Sequence, residues 1–193
     1  MTGVVLAGGR SARFGRDKLA EPYRGGPLLH HCLQRLAEVC DELVVVLAPG
    51  APEPDLPVGV AARFARDADE GQGPLAGVSA GLLATRTELA VLAGGDMPEL
   101  SMPVLLEMVR VAREAPVEAV ALRDGDRFRP LPCVVRVPAA RDGARALLLG
   151  GRRRLRELLD SLRLAGIDEA TWVALDPERR TLFDVDEPAD LER

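Results

Sequence analysis

The stretch from Val4 to Lys18 constrains this chain more than any other. An apolar run, Val4-Val5-Leu6-Ala7, stops abruptly at Gly8-Gly9, and Arg10, Ser11, Arg13, Arg16 and Lys18 follow within ten residues. Such a run predicts a buried strand entering a loop. The glycines lack the Cβ atoms that would hold a ligand away from the backbone. Successive loop N–H groups can then point at phosphate oxygens while the cations neutralise their charge. The stretch therefore reads as a polyphosphate grip, and a bare glycine turn does not account for so many cations in one loop.

Two better-known grips are excluded. A dinucleotide fingerprint needs G-x-G-x-x-G, whereas the glycines here fall at 8, 9 and 15. A P-loop needs Gly-Lys followed by Ser or Thr, whereas Gly15 is followed by Arg16, Asp17 and Lys18.

The chain's 193 residues predict one domain spanning 1–193. Apolar residues make up 47% and aromatics only 3%, so the core must be aliphatic. A formal charge of −5 argues against nucleic acid as a partner. No apolar run approaches the ~20 residues of a membrane span. The N-terminus enters the glycine loop directly, leaving no room for a signal peptide. Cys32, Cys40 and Cys133 are too scattered for a disulfide framework or a zinc site and are expected as small buried residues. A reducing cytoplasm is the expected location.

Apolar spacing predicts a helix over Pro27–Val39, a strand over Glu42–Leu47 and a loop through the proline-rich Ala48–Gly59. A short strand over Arg63–Arg66 and a helix from Gly73-Pro74 to Ala84 follow, then a strand over Leu89–Ala93. Ser101 is the expected N-cap of a helix reaching Glu114. Further strands are expected over Ala119–Leu122 and Leu131–Val137, with a turn at Asp124-Gly125 between them, and a helix between Arg152 and Leu164. Thr171–Leu175 and Phe183–Val185 read as short strands, and Pro188 as the start of a last helical turn. This alternation implies an α/β fold whose mainly parallel sheet is covered on both faces. Val5-Leu6-Ala7-Gly8-Gly9 and Val91-Leu92-Ala93-Gly94-Gly95 are identical in sequence, which predicts two strands ending at one edge of that sheet. Ligands of open α/β sheets bind outside the carboxyl ends of the strands.

Asp96 follows the second glycine pair. A carboxylate there suits Mg²⁺, which binds through one or two carboxylates together with substrate phosphates and water. These residues bring out a resemblance. The chain resembles the molybdenum cofactor guanylyltransferases, within the Mg²⁺-dependent nucleotidyltransferases. Leu6 to Lys18 are similar to that family's opening signature, L-A-G-G-R-S-x-R-Φ-G-x-D-K with Φ apolar. Its G-P-L-A-G segment is matched by Gly73 to Gly77, its C-D-x-P motif by Gly95-Asp96-Met97-Pro98, and its closing motif more loosely by Phe183 to Leu191.

The resemblance implies a three-layer Rossmann-like nucleotidyltransferase fold. It implies GTP bound by Leu6, Ala7, Gly8, Gly9, Lys18 and Asp67, with Mg²⁺ on Asp96 and Asp186. It gives catalytic work to Arg13, Lys18 and Asp96: transfer of GMP to the terminal phosphate of molybdopterin, with release of pyrophosphate. A related transferase using CTP or another phosphorylated acceptor is the alternative. Transient contact with other cofactor-biosynthesis proteins is implied as well. Three departures from the family stand out. Ala48-Pro49 replaces a polar side chain expected near the nucleotide, and Gly95 replaces a common cysteine. Asp184 and Asp186 replace asparagines, and either add a carboxylate to the metal or cap the last turn.

Some motifs read as structural. Gly77-Val78-Ser79-Ala80-Gly81 fits G-x-S-x-G, but a nucleophile elbow needs a strand before it and a histidine after it, and the chain's two histidines, His30 and His31, come earlier. Adjacent positions on a helix project to different faces, so His30 and His31 are expected at the surface or an interface rather than as a metal pair. Arg152, Arg153, Arg154 and Arg156 are a candidate anion or partner contact that a solvated helix start explains equally well. Arg129 stands on the side where the family receives its acceptor and often carries histidine.

Overall fold

The computed structural model describes residues 1–8, 17–67 and 73–192. Gly9, Arg10, Ser11, Arg13, Gly15 and Arg16, singled out above, lie outside the described residues. Among the described residues, seven strands form one sheet. The strands are β1 (Thr2–Leu6), β4 (Glu42–Leu47), β5 (Ala62–Arg66), β6 (Leu89–Gly94), β7 (Ala119–Asp124), β8 (Arg127–Arg136) and β9 (Leu164–Ile167). Their spatial order is β5-β4-β1-β6-β8-β7-β9. Every neighbouring pair is parallel except those made by β8, which runs against both β6 and β7. A two-residue pair, β2 (Pro22–Tyr23) and β3 (Gly26–Pro27), forms a small separate hairpin.

Helices cover both faces of the sheet, and residue alternation decides which side chain meets which layer. Val5, Val45, Val91 and Val120 point to α1 (Leu28–Ala37), α3 (Met102–Glu114) and α6 (Glu169–Leu175), through Leu33, Leu105 and Trp172. Val4, Val44, Leu92 and Ala121 point the other way, to α2 (Pro74–Ala84), α4 (Val137–Leu149) and α5 (Leu155–Ser161). Burial on both sides explains why β1, β4 and β6 read as continuous apolar runs. Gly77 and Gly81 let α2 approach closely: a Cβ on Gly81 would lie 2.4 Å from Val4 Cγ1.

Three expectations from the sequence change, and one helix is new. Residues 171–175 form helix α6 rather than a strand. Trp172 anchors it from the core, its Nε1 donating to the Arg123 carbonyl at 2.7 Å. Phe183–Val185 joins no sheet among the described residues. Val185 N instead donates to Asp96 O at 3.0 Å, holding the tail on the loop after β6. The expected helix to Leu164 ends at Ser161, because Leu164 opens the edge strand β9. Helix α4 had no counterpart in the sequence reading. Its buried residues are Val137, Ala140 and Ala144, small side chains that leave little amphipathic signature, and it starts directly from the last residue of β8.

Candidate active site at the carboxyl edge of the sheet

Parallel strands β1, β4, β5 and β6 deliver their carboxyl ends to one edge. The ladder continues past the strands there: Ala7 N donates to Val46 O at 2.8 Å, Gly95 N to Leu6 O at 2.9 Å and Asp67 N to Leu47 O at 3.1 Å. Leu6, Ala7, Gly8, Asp67 and Asp96 are thus aligned along a single rim. Gly8 is required by this closeness, since a Cβ on it would lie 3.0 Å from Ala48 N and 3.2 Å from Leu47 C. Gly94 is required by its neighbour, since a Cβ there would lie 2.3 Å from Asp96 Oδ1. Beneath the rim, the buried Cys32 thiol donates to Gly94 O at 3.2 Å.

Lys18 reaches this rim from a short 3₁₀ turn, Lys18–Ala20, whose N-cap Asp17 accepts from Leu19 N. Its ammonium donates to Asp96 Oδ2 at 2.6 Å and to Val185 O at 2.9 Å, and lies 3.9 Å from Asp186 Oδ1. Both partners of the Lys18–Asp96 pair are largely withdrawn from solvent, with side chains 17% and 27% exposed. Beside them the Asp184 carboxyl is pushed up from the usual carboxylate range, first by desolvation and then by the negative charges of Asp186 and Asp96. Two carboxylates, Asp96 and Asp186, thus share the Lys18 ammonium. Asp96 and Asp186 offer only oxygen donors, as a hard divalent cation requires. No larger cluster of metal-ligating side chains occurs among the described residues. Mg²⁺ needs no more than one or two carboxylates when substrate phosphates complete its shell, so these residues fit it.

The C-terminal tail is held in place by a satellite core of Tyr23, Leu28 and Val185. Asp190 Oδ2 accepts from the backbone N–H groups of Asp186 and Glu187, which fixes the turn carrying Asp186. Asp67 stands apart from this cluster. It follows β5, three strand spacings from β6, or about 14 Å across the sheet. Gly9 and Arg13, expected in the grip, lie outside the described residues.

Val185, whose carbonyl holds Lys18, is a residue that sequence reasoning missed. No side-chain motif signals a backbone acceptor. The arginine cluster also gains a definite place. The Arg153 carbonyl accepts from Leu75 N at 3.3 Å, so the 152–154 segment lies against the start of α2. Arg152 pairs with Glu157 at 2.7 Å, and Arg129 faces Asp124 at 3.7 Å. The decoys resolve as expected. Gly77, Ser79 and Gly81 all lie within α2, which is no nucleophile elbow. His30 Nε2 and His31 Nε2 are taken up by the carbonyls of Asp55 and Tyr23, at 2.9 and 2.7 Å. The three thiols are buried, and no helix among the described residues is long and apolar enough to cross a membrane.

Comparison with known proteins places this geometry in a family. Residues 3–167 match the model of the MobA-like NTP transferase domain. A probable molybdenum cofactor guanylyltransferase of Mycobacterium avium is 37% identical over 99% of this chain and 93% of its own length. One from Chloroflexus aggregans is 33% identical over 99% and 91%. Among solved structures, the Archaeoglobus fulgidus molybdopterin-guanine dinucleotide biosynthesis protein A superposes with a TM-score of 0.81, at 24% identity, over 100% of this chain and 96% of that one. The 2-C-methyl-D-erythritol 4-phosphate cytidylyltransferase of Thermus thermophilus shares the fold at a TM-score of 0.70 and 19% identity, over 98% and 94%. The family match over residues 3–167, the identity to full-length relatives and the shared fold show that the chain belongs to the MobA-like NTP transferases and is a nucleotidyltransferase.

Proposed function

We propose that this protein transfers GMP from GTP to the terminal phosphate of molybdopterin, giving the guanine dinucleotide and pyrophosphate. The observation that carries the proposal is the convergence of Lys18, Asp96 and Asp186 on one point of the rim. The M. avium and C. aggregans relatives, named as probable molybdenum cofactor guanylyltransferases, supply the substrate class.

The rim suits an elongated ligand. Asp67 lies about 14 Å from the strand that carries Asp96, comparable to the length of a nucleoside triphosphate rather than of a phosphate alone. Leu6, Ala7 and Gly8 bring the backbone against the nucleotide between these two ends, and the family resemblance assigns Gly9 and Arg13 to the same grip. Asp96 and Asp186 would hold Mg²⁺. When bound, the metal supplies positive charge to the phosphate oxygens near the reacting phosphorus.

The attacking group is a phosphate monoester, already ionised near neutral pH, so no general base is needed. That agrees with the engagement of both histidines on carbonyls away from Asp96. The chain's own contribution is positioning and charge. Lys18, turning from Asp96 to a phosphate oxygen, offsets charge on the departing pyrophosphate, and Arg13 assists.

The test is pyrophosphate release from GTP with Mg²⁺ and molybdopterin, run beside CTP, ATP and UTP. Release with GTP, abolished in Asp96→Ala, is the expected result. Release with CTP and not GTP would reassign the base, for which the change to Ala48-Pro49 gives a physical reason.

A further inference from the structure

A cleft of about 610 Å³ opens between α1, the loop that follows Asp96, and the segment after α6. It shares no residue with the rim described above. Its walls include Tyr23, Arg24, Arg35, Glu99, Ser101 and Arg180. We propose that this cleft is a second binding site, for a compact multivalent oxyanion such as phosphate or pyrophosphate, gripped by Arg24, Arg35 and Arg180.

Charge alone does not distinguish the cleft, because Glu38, Glu99 and Asp176 balance the three arginines. Placement does. Glu99 is withdrawn, its side chain 12% exposed, and accepts from the Tyr23 hydroxyl, from Arg24 at 3.0 Å and from Arg180 at 2.8 Å. Asp176 is buried and its carboxylate accepts from Thr181 N at 2.7 Å. The arginines are exposed. Arg35 stands 3.6 Å from Glu38, beyond hydrogen-bonding range, and Arg180 also meets the outlying Glu178. Glu99 and Asp176 thus lie at the floor, while Glu38 is exposed beside Arg35, and the three arginines are exposed at the rim of the cleft. Helix α3 adds its positive end, and Ser101 gives it no side-chain cap.

Arg24 supplies an independent sign. It sits at φ +43°, ahead of Gly25 at φ +91°, in the turn between β2 and β3. Glycine, asparagine or aspartate suits that position, and a long side chain there costs about 1 kcal/mol. Glu99 accepts from Tyr23 and Arg180 as well, so Arg24 is its third donor. A cation held there against its conformational preference, its guanidinium 5.1 Å above the Tyr23 ring, points to a ligand. Glu99 lies three positions after Asp96. An oxyanion that draws Arg24 and Arg180 away from it would act on the loop that carries the catalytic carboxylate.

The proposal does not depend on the identity of the nucleotide or its acceptor. It is tested by titrating inorganic pyrophosphate into the whole chain, without divalent metal, by calorimetry and by backbone amide shifts. Saturable binding with shifts at Arg35, Ser101 and Arg180 is expected. Losing two charge-assisted contacts in Arg24→Gly/Arg180→Gln should weaken binding about tenfold or more. Should that variant not fold, Arg35→Gln decides alone, since it leaves Glu99 untouched; a severalfold loss is expected. Shifts confined to Gly8, Lys18 and Asp96, unchanged affinity in the folded variants, or no saturable binding would each overturn the proposal.

Discussion

The Lys18 ammonium lies 2.6 Å from Asp96 Oδ2, so the grip's lysine sits on the carboxylate expected to take the metal. Two opposite charges this close and partly desolvated are strongly coupled. Lys18→Ala should therefore do two things at once. Turnover should fall about 10²–10³-fold, the scale of losing one electrostatic stabiliser. Affinity for Mn²⁺ without nucleotide should rise roughly tenfold, because Asp96 and Asp186 lose their competing cation. Spin-resonance titration of Mn²⁺ beside steady-state rates checks both.

Asp96→Asn keeps the shape of the side chain and removes its charge. We expect a folded protein, destabilised by about 1–2 kcal/mol through the lost charge-assisted bond, with turnover lowered at least as far as in Lys18→Ala. Thermal melts and pyrophosphate release are the measurements. A folded variant that retains full Mg²⁺-dependent turnover would remove Asp96 from the metal site.

Two glycine-to-alanine changes should separate chemistry from folding. In Gly94→Ala the new Cβ meets Asp96 Oδ1 at 2.3 Å, and a side chain can swing away. The melting temperature should barely move while activity collapses. In Gly81→Ala the Cβ meets Val4 Cγ1 at 2.4 Å and Val46 Cγ2 at 2.9 Å, both fixed in the core. That variant should lose about 1–3 kcal/mol by overpacking, and activity should follow the folded fraction.

The cysteines give a pH prediction. Burial pushes the Cys133 and Cys40 thiols up to about 12, and pushes Cys32 higher, with the Asp96 charge adding to it. A raised thiol keeps its proton in the folded state and loses it in the unfolded state. Stability is therefore fully present below the ordinary thiol pKa and falls as pH rises toward the folded value. Above about pH 9 each thiol should cost up to about 1.4 kcal/mol per pH unit. At pH 8 a thiol reagent should label none of the three until the chain is denatured.

The sequence showed those parts of the fold whose signals are local. The apolar run of β4 marked its own ends at Glu42 and Leu47, and Gly73-Pro74 marked the start of α2. Where the signal was ambiguous, longer-range contacts decided. Thr171 to Leu175 is apolar enough for a strand, but Trp172 finds its partner in the Arg123 carbonyl only from a helix. Leu164 fits a helical spacing, yet Ala119 pairs with it across the sheet and makes it strand. In the candidate site, Lys18, Asp96 and the two glycine pairs were legible as motifs. The Val185 carbonyl and the Glu99 floor of the second cleft were not, because a backbone acceptor carries no side-chain signature and a buried carboxylate resembles any surface one in sequence.

What the sequence determined by itself is the chemistry available: a cation-rich glycine loop, a matching second strand end with an aspartate, and no histidine beyond His30 and His31. The tertiary structure alone decided which of these groups meet. Parallel pairing of β1 with β4 and β6 places Gly8 and Gly94 at one edge, and the tail's hydrogen bond from Val185 N to Asp96 O brings Asp186 to the same ammonium. The reason is physical. Apolar periodicity and turn residues act over a few positions, whereas the Lys18–Asp96 contact spans 78 residues and exists only once the whole sheet has closed.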